Sequence, residues 1–305
     1  MIHADLHEVA VLLSSGGLAA ESGTEAPLDE ALYAWYLNRS GPTTQGGLVL
    51  AYELSLPDAL RAAHAGSIQF VGGSKAESVS TWGRVVTTSG PLQRMLERSE
   101  YVVPSRPGLR AEPGDSIAVS QCWDWVDEDR GFWYTRRGDW PPPQADRLVR
   151  VYWNCAPSVA PTIVGQLTAV LAANPEHSYT IKTIVSQQHG GRADALVLYL
   201  APDGYAALEG FIVDTAAGLA DQMRNSTPKC AAVLSSGLAV AEGPIGGESF
   251  GQSRAALIAA AHNDADSGCD SRLEAIVAGL EDVFEMAGLD AQRPYLEPDP
   301  ERDYV

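Results

Sequence analysis

The chain has 305 residues, and 45% of them are hydrophobic, so it can bury a large core as one large domain or two smaller ones. Its formal net charge of -18 disfavours nonspecific binding to nucleic acid or to an anionic membrane surface. In such an acidic chain, a site for an anionic ligand must be a local cluster of cations, which makes clustered arginines informative.

The four cysteines and the opening segment bear on the cellular compartment. The cysteines are far apart in the sequence and form no CxxC pair, which fits neither a zinc site nor a small disulfide scaffold. The opening MIHADLHEVAVLLSSGG has no basic segment, and its apolar run is too short for a signal peptide or a membrane span. We therefore expect reduced thiols and a cytoplasmic location.

The first third of the sequence predicts mainly helices. The segment at residues 28–37 has acidic residues early and apolar residues at helical spacing, and a Pro-Asp start predicts a second helix at residues 54–64. Residues 66–90 are rich in glycine and serine, which is typical of a loop-bearing region. Prolines within residues 104–113 then predict a joint, so we interpret residues 1–105 as a mainly helical N-terminal part.

After this joint the sequence predicts strands with interspersed helices. SIAVSQCWDWV and GFWYTRR predict a hairpin about the turn DEDR, and LVRVYWNC, YTIKTIVS and ADALVLYL predict three more strands. Helical spacing of apolar residues appears in VAPTIVGQLTAVLAANP, at residues 205–224 and 252–262, and in RLEAIVAGLEDVFEMAGL. This pattern predicts an α+β fold over residues 106–290, with a mainly antiparallel sheet flanked by helices. Residues 291–305 are rich in proline and acidic side chains, and we expect a mobile C-terminal tail there.

Cations on several of these strands are candidates for an anion site. Strand alternation puts Arg150, Tyr152 and Asn154 on one face. Lys182 lies inside an apolar strand, so it either snorkels at an edge or is buried for a purpose. Because Arg192 opens the next strand, the sheet can bring three cations to one place.

The combination of arginines with one lysine has a specific chemical use. Guanidinium groups bind phosphate oxygens in a bidentate fork, whereas a lysine that is crowded by cations and partly desolvated has a lowered pKa and can act as a base. The pattern therefore favours a site that can bind an anion and also supply a base. Ordinary surface ion pairs with Asp146, Asp194 and Glu242 are the alternative that the spacing leaves open.

Three further features have two interpretations each. His189, in a turn between two strands, is either a proton donor or an exposed turn residue. The aromatic segment WDWVDEDRGFWYTRR is either core or a peptide-binding surface on which Arg136 and Arg137 attract acidic residues. The glycine-rich GPIGGESFG either places Ser249 and Arg254 near a phosphate or is only a turn.

Five segments occur in the order RVYWN, IKTIV, GGRADALVLYL, LSSGLAVAEGP and GESFGQSR. In this order they resemble the HopA-type effector family, and the earlier ALYAWYLNRSG resembles that family's N-terminal helix. The resemblance covers about residues 147–262. The family includes stand-alone lyases of lanthipeptide and thioamitide biosynthesis, which work beside an aminoglycoside-phosphotransferase-like kinase.

More remotely, the motifs resemble those of phosphothreonine lyases, which remove phosphate by β-elimination. The resemblance implies that Lys182 removes the Cα proton. Tyr152 departs from the pattern, because those lyases have a histidine at this position. A tyrosine can donate a proton to the leaving oxygen or hydrogen-bond the phosphate, and the alternative is that a phosphate bound by three cations leaves without an acid. The other residues implied in binding phosphate or substrate are Arg150, Arg192, Tyr199, Arg254 and Asn154.

The resemblance implies a phosphoserine or phosphothreonine lyase that converts a phosphorylated precursor peptide to dehydroalanine or dehydrobutyrine. The expected partners are that peptide and the kinase, with no nucleic acid and no membrane. The elimination needs no metal, nicotinamide or nucleotide cofactor, in keeping with the lack of a Walker loop or of a GxGxxG after a strand. Two alternatives stay open: a noncatalytic binding partner of a kinase or leader peptide, and a type III effector that acts on a host protein.

Overall fold

A computed structural model of the chain describes residues 2–18, 27–38, 55–65, 70–89, 92–96, 98–120, 122–138, 146–186, 189–244, 249–265 and 271–304. These described residues form seven α-helices and two antiparallel sheets, which confirms the predicted α+β fold with helices at the N-terminus. The helices are α1 (Ala4–Ser15), α2 (Leu28–Tyr36), α3 (Ser55–Ala63), α4 (Ala160–Ala173), α5 (Pro202–Gly218), α6 (Phe250–Asp264) and α7 (Arg272–Met286). No helix in this described part of the chain is long and apolar enough to cross a membrane. Some residues of the predicted features lie outside the described residues. They are residues 39–41, 54, 66–69, 90, 121, 187–188, 245–248, 269 and 305.

Twelve strands among the described residues form the two sheets. They are β1 (Phe70–Val79), β2 (Val85–Ser89), β3 (Leu92–Leu96), β4 (Tyr101–Val102), β5 (Ser116–Ser120), β6 (Cys122–Asp127), β7 (Phe132–Arg137), β8 (Arg147–Trp153), β9 (Tyr179–Ile184), β10 (Leu196–Leu200), β11 (Ala232–Ser235) and β12 (Leu238–Pro244). The larger sheet has the order β11-β12-β8-β10-β9-β7-β6, and the smaller sheet has the order β3-β2-β1-β5-β4. Every residue of β8 is buried, because this strand lies between β12 and β10 in the middle of the core. α5 packs against β8 and β10, while α2 packs on α6, which contacts β12.

The N-terminal part differs from the mainly helical part predicted for residues 1–105. α1, α2 and α3 pack into the core of the larger sheet, where Leu6, Leu32 and Leu60 are fully buried. β1 to β4 instead join β5 in the smaller sheet. That sheet has a separate small core, made of Ala76, Val85, Leu96, Tyr101, Val103, Ala111 and Ile117.

Residues 70–89, within the region predicted as loop-bearing, form the hairpin of β1 and β2. The pairing of β1 with β5 shifts register between Val71 and Ser74, and Gly73 has a φ of 110° at this irregularity. Glycine adopts such left-handed backbone readily, so a bulged strand has the composition that otherwise indicates a loop.

The segment SIAVSQCWDWV is divided between the two sheets, with β5 in the smaller and β6 in the larger. The predicted hairpin of β6 and β7 is confirmed. Asp127 lies opposite Phe132, and the backbone N–H of Gly131 donates to Asp127 O at 2.8 Å.

Residues 291–304, for which the sequence favours a mobile tail, pack against the larger core. Tyr295, Leu296 and Tyr304 are buried, and the hydroxyl of Tyr304 donates to the buried carboxylate of Glu242 at 2.8 Å. The proline-rich, acidic composition of this segment does not reveal that three of its large side chains belong to the larger core.

Candidate active site

The register of the larger sheet aligns four of the predicted residues on one face. Tyr152 of β8 and Lys182 of β9 both lie opposite Val197 of β10. Arg150 lies opposite Tyr199, and this pair is two residues away from Tyr152 and Val197 on the same two strands. Directly opposite residues of neighbouring strands point to the same side, about 5 Å apart. Arg150, Tyr152, Lys182 and Tyr199 therefore share what we call the site face.

Lys182 lies between an aromatic ring and a carboxylate. Its Nζ is 4.0 Å from the ring centroid of Phe132 and 4.0 Å from Asp194 Oδ2. Asp194 also accepts hydrogen bonds of 2.7 Å from both Nε and Nη2 of Arg192. The carboxylate therefore holds the two cations close together, with the guanidinium in a bidentate geometry.

The ammonium group of Lys182 is more acidic than usual. Burial, together with the charges of Arg192, Arg150 and Arg130, lowers its pKa from 10.5 to about 8, although Asp194 acts in the opposite direction. Burial also opposes the ionisation of Asp194, but Arg192 and Lys182 keep the pKa of this carboxyl below its usual value. At neutral pH the site thus combines a partly neutral amine with an ionised carboxylate.

Arg150 is a second buried cation of the site face, and β12 leaves room for it. The guanidinium is 5.8 Å from the ring centroid of Tyr199. Ala241 lies opposite Arg150, and a Cβ at Gly243 would overlap Nη1 of Arg150. The alternating small residues of GLAVAEGP therefore create the space that the arginine occupies.

Two tyrosines of α2 lie against the site face. The hydroxyl groups of Tyr36 and Tyr152 share a hydrogen bond, and Tyr33 accepts one from Arg192. Burial raises the pKa of Tyr152 to about 12, while Arg150 and Tyr36 act to lower it. Tyr152 therefore keeps its proton near neutral pH.

Backbone contacts at the C-terminal end of α2 fix these tyrosines. The N–H of Ala193 donates to Leu37 O, and the N–H of Lys229 donates to Tyr36 O, both at 2.9 Å. α6 comes so close that a Cβ at Gly251 would overlap the ring of Tyr36. The sequence predicts this helix but not the role of its tyrosines. The available signal was their spacing of three residues, which puts both on one helical face.

Two other predicted site residues make their hydrogen bonds elsewhere. Arg254 is 1% exposed and donates to Pro294 O at 2.7 Å and to Leu296 O at 2.9 Å. The amide of Asn154 donates to Ser226 O at 2.7 Å. Both side chains therefore hold backbone segments in place, and among the described contacts neither is bonded to the cations of the site face.

The ion pairs weighed as an alternative are arranged differently from a surface network. Asp146 and Glu242 both pair with Arg147, at 3.0 and 3.4 Å. Asp194 does pair with Arg192, but their side chains are only 7% and 6% exposed. The cations around Lys182 thus form a buried cluster.

His189 and Ser249 have local structural contacts. His189 Nε2 donates to Arg130 O at 2.8 Å, and its ring stacks on Phe132 with centroids 5.0 Å apart. Ser249 caps α6 in a capping box with Gln252. Each side chain is thus accounted for by a contact within the fold.

Comparison with known proteins places the chain in a family. The family model described as the HopA1 effector protein family matches residues 127–296, a span that includes every predicted site residue. The chain belongs to the HopA1 effector protein family. No curated protein matches this HopA1 family member.

Two solved effector structures share its fold. The effector protein from Pseudomonas syringae pv. syringae strain 61 is 16% identical, with a TM-score of 0.57 over 97% of this chain and 96% of that chain. The effector protein from Pseudomonas syringae pv. tomato strain DC3000 is also 16% identical, with a TM-score of 0.54 over 96% of this chain and 99% of that chain. At this identity the likeness shows the fold, and it extends over nearly the whole length of each chain.

Proposed function

We propose that this HopA1 family member is a phosphoserine or phosphothreonine lyase that eliminates phosphate from a phosphorylated precursor peptide. The observation that carries the proposal is the buried Lys182, with a pKa lowered to about 8, on the same sheet face as Arg150 and close to Arg192. Phosphate binding alone requires only the cations. A neutral amine among them supplies the base that a β-elimination requires.

In the proposed reaction, Nζ of Lys182 takes the Cα proton of the phosphorylated residue. The electron pair of the Cα–H bond forms the Cα=Cβ double bond while the bond from Cβ to the phosphate oxygen breaks. Phosphate leaves, and the residue becomes dehydroalanine or dehydrobutyrine. Arg150 and Arg192 bind the phosphate and stabilise the charge that develops on the leaving oxygen. Lys182 then returns its proton to water.

Tyr152 is the proposed proton donor to the leaving oxygen, and it regains a proton from water after the phosphate has left. It keeps its proton because its pKa is about 12, and Tyr36 shares a hydrogen bond with it. Tyr199, which lies under Arg150, is proposed to help bind the phosphate. Asp194 acts as a positioning residue, since it holds Arg192 beside Lys182.

The proposal extends to partners through the family resemblance. An aminoglycoside-phosphotransferase-like kinase would phosphorylate the precursor peptide, and both proteins would act in the cytoplasm. The product would belong to lanthipeptide or thioamitide biosynthesis. The net charge of -18 favours a local phosphate contact over broad binding to nucleic acid or membranes.

Incubation with leader-bearing phosphothreonine and phosphoserine peptides tests the proposal. We expect mass spectrometry to show loss of phosphoric acid, with an equal amount of free phosphate released. Lys182→Ala should bind the phosphopeptide without converting it. Lys75→Ala, at an exposed lysine of the smaller sheet, should react like the wild type. Both phosphopeptides remaining intact in the presence of the folded protein and the kinase would rule out a lyase that acts on precursor peptides.

The likeness to solved effectors favours a second candidate, elimination from a phosphorylated host protein. The same residues would act, and only the substrate differs. Rates on a folded phosphoprotein and on an unfolded peptide of the same sequence separate the two, because an effector should prefer the folded target. A noncatalytic binding partner would bind equally well as wild type or as Lys182→Ala and convert neither substrate.

A further inference from the structure

The side of the larger sheet that carries the site face extends beyond Lys182, across β7, to the edge strand β6. Trp125 of β6 lies opposite Tyr134 of β7, which in turn lies opposite Lys182. The rings of Trp125 and Tyr134 stack with centroids 4.9 Å apart and planes within 8° of parallel, and the guanidinium of Arg136 lies 5.2 Å from the centroid of Trp125. Each of these three side chains is partly exposed. We call them the aromatic shelf.

Arg136 is held in a fixed position on the aromatic shelf. Its Nε donates to Thr180 Oγ1 at 3.0 Å, in addition to its contact with the indole ring. Arg136 lies two residues along β7 from the partner of Lys182, so it is a diagonal neighbour of that lysine, roughly 7 to 8 Å away. This span corresponds to about two residues of an extended peptide.

The residues of β7 on the outer sides of Tyr134 and Arg136 have different surroundings. Arg137 donates to Asn174 O at 2.8 Å and to His177 O at 3.1 Å. Trp133 is fully buried, and its Nε1 donates to Asp124 at 3.0 Å. The sequence leaves open whether this aromatic segment is core or a peptide-binding surface, and it contributes to both. Trp133 is buried on one side of the sheet, and the aromatic shelf is partly exposed on the other.

We propose that the aromatic shelf binds the part of the substrate peptide next to the phosphorylated residue, and that Arg136 pairs with an acidic side chain about two residues away. This inference rests on the proposed function, because the position of Lys182 sets the register of the peptide. Stacked rings offer a rigid apolar platform, and an oriented guanidinium suits a carboxylate. In a chain of net charge -18, most of the surface repels an acidic peptide, so a fixed cation beside the site selects where such a peptide binds.

Three synthetic phosphothreonine peptides test the proposal. They are identical except for glutamate, alanine or lysine at the second residue on both sides of the phosphothreonine. We expect kcat/KM to be about tenfold higher for the glutamate peptide than for the lysine peptide. Arg136→Gln should abolish this preference and Arg136→Glu should reverse it. Arg137→Gln, at the next residue but on the opposite face, is the matched control and should retain the preference. Equal rates on the two charged peptides, or an unaltered preference in Arg136→Glu, would overturn the proposal.

Binding distinguishes failure of this inference from failure of the proposed function. Fluorescence anisotropy of labelled versions of the same peptides reports affinity without requiring turnover. A preference for glutamate that Arg136→Glu reverses supports the aromatic shelf even where no phosphate is released, and then only the lyase fails. Elimination that shows no preference in rate or affinity retains the lyase and overturns the aromatic shelf.

Discussion

Lys182 lowers the stability of the folded chain because a charged ammonium group is buried there. Its pKa falls from 10.5 to about 8 on folding, so between these values the unfolded chain binds more protons than the folded chain. Stability therefore rises with pH across this window, and below about pH 8 the whole cost is present. The difference in pKa corresponds to about 3 kcal/mol. The same burial brings the amine closer to its neutral form near physiological pH, so the destabilisation and the proposed chemistry have one cause.

Replacing Lys182 with methionine removes the buried charge and keeps most of the volume. At pH 7, Lys182→Met should raise the free energy of unfolding by about 2 kcal/mol, which allows for the lost contact with Asp194. The gain should disappear near pH 10.5, where the wild-type lysine is neutral in the folded chain and half neutral in the unfolded chain. Urea unfolding at the two pH values measures both effects. A variant that is less stable than wild type at pH 7 would show that the ammonium group is well solvated.

The hydrogen bond between Tyr36 and Tyr152 should matter more to the reaction than to the fold. Tyr36→Phe keeps the ring that packs on Tyr33 and Phe250, so the free energy of unfolding should fall by only about 1 kcal/mol. Because Tyr36 orients the proposed acid, elimination should slow about tenfold in Tyr36→Phe and about a hundredfold in Tyr152→Phe. The double variant should be no slower than Tyr152→Phe. Rate losses that multiply would contradict the assignment.

At the residue scale, the sequence predicts what local geometry determines. Alternation along β8 is enough to put Arg150 and Tyr152 on one face, since the faces of a strand follow from its backbone. It cannot place Tyr36 beside them, because that contact joins distant parts of the chain. Arg254 illustrates a second limit: its local sequence does not reveal that the guanidinium donates to Pro294 O and Leu296 O and pairs with Glu297.

At the scale of elements, the predictions succeed where the sequence of a segment indicates its structure by itself. β8, β9 and β10 are short runs rich in apolar, β-branched and aromatic residues, and α4 has apolar residues at helical spacing. β1 and the C-terminal segment have no such pattern. In β1 a bulge at Gly73 interrupts the alternation, and in the C-terminal segment the burial of Tyr304 depends on Glu242 of a distant strand.

The C-terminal segment should contribute measurably to stability. Tyr304→Phe removes a hydroxyl that donates to the buried carboxylate of Glu242, and it should lower the free energy of unfolding by about 2 kcal/mol. Arg293→Ala is the matched control in the same segment, because its side chain is 45% exposed where it pairs with Asp290. That change should leave the free energy of unfolding close to that of the wild type. Thermal unfolding of both variants provides the comparison, and equal stability of Tyr304→Phe and wild type would mean that the segment is only loosely attached.

At the scale of the whole molecule, the described residues form two separate hydrophobic cores, and only one of them supports the site. The site face lies entirely on the larger sheet, and the N-terminal helices pack on that sheet although the smaller sheet follows them in the sequence. Chain order therefore does not reveal this division, because neighbouring segments such as β5 and β6 belong to different sheets. The arrangement implies that the smaller sheet can loosen without disturbing the site.

Hydrogen exchange can test whether the two sheets are separate cooperative units. Ile117 is fully buried in the small core, and Ile117→Ala should cost about 2 to 5 kcal/mol. Amides of β1, β2 and β5 should then exchange faster, while those of β8, β9 and β10 keep their protection and elimination continues. Ile181→Ala, a matched change in the larger core one residue from Lys182, should instead reduce protection around the site and slow the reaction. If Ile117→Ala reduced protection equally in both sheets, the smaller sheet would be part of one cooperative unit with the site.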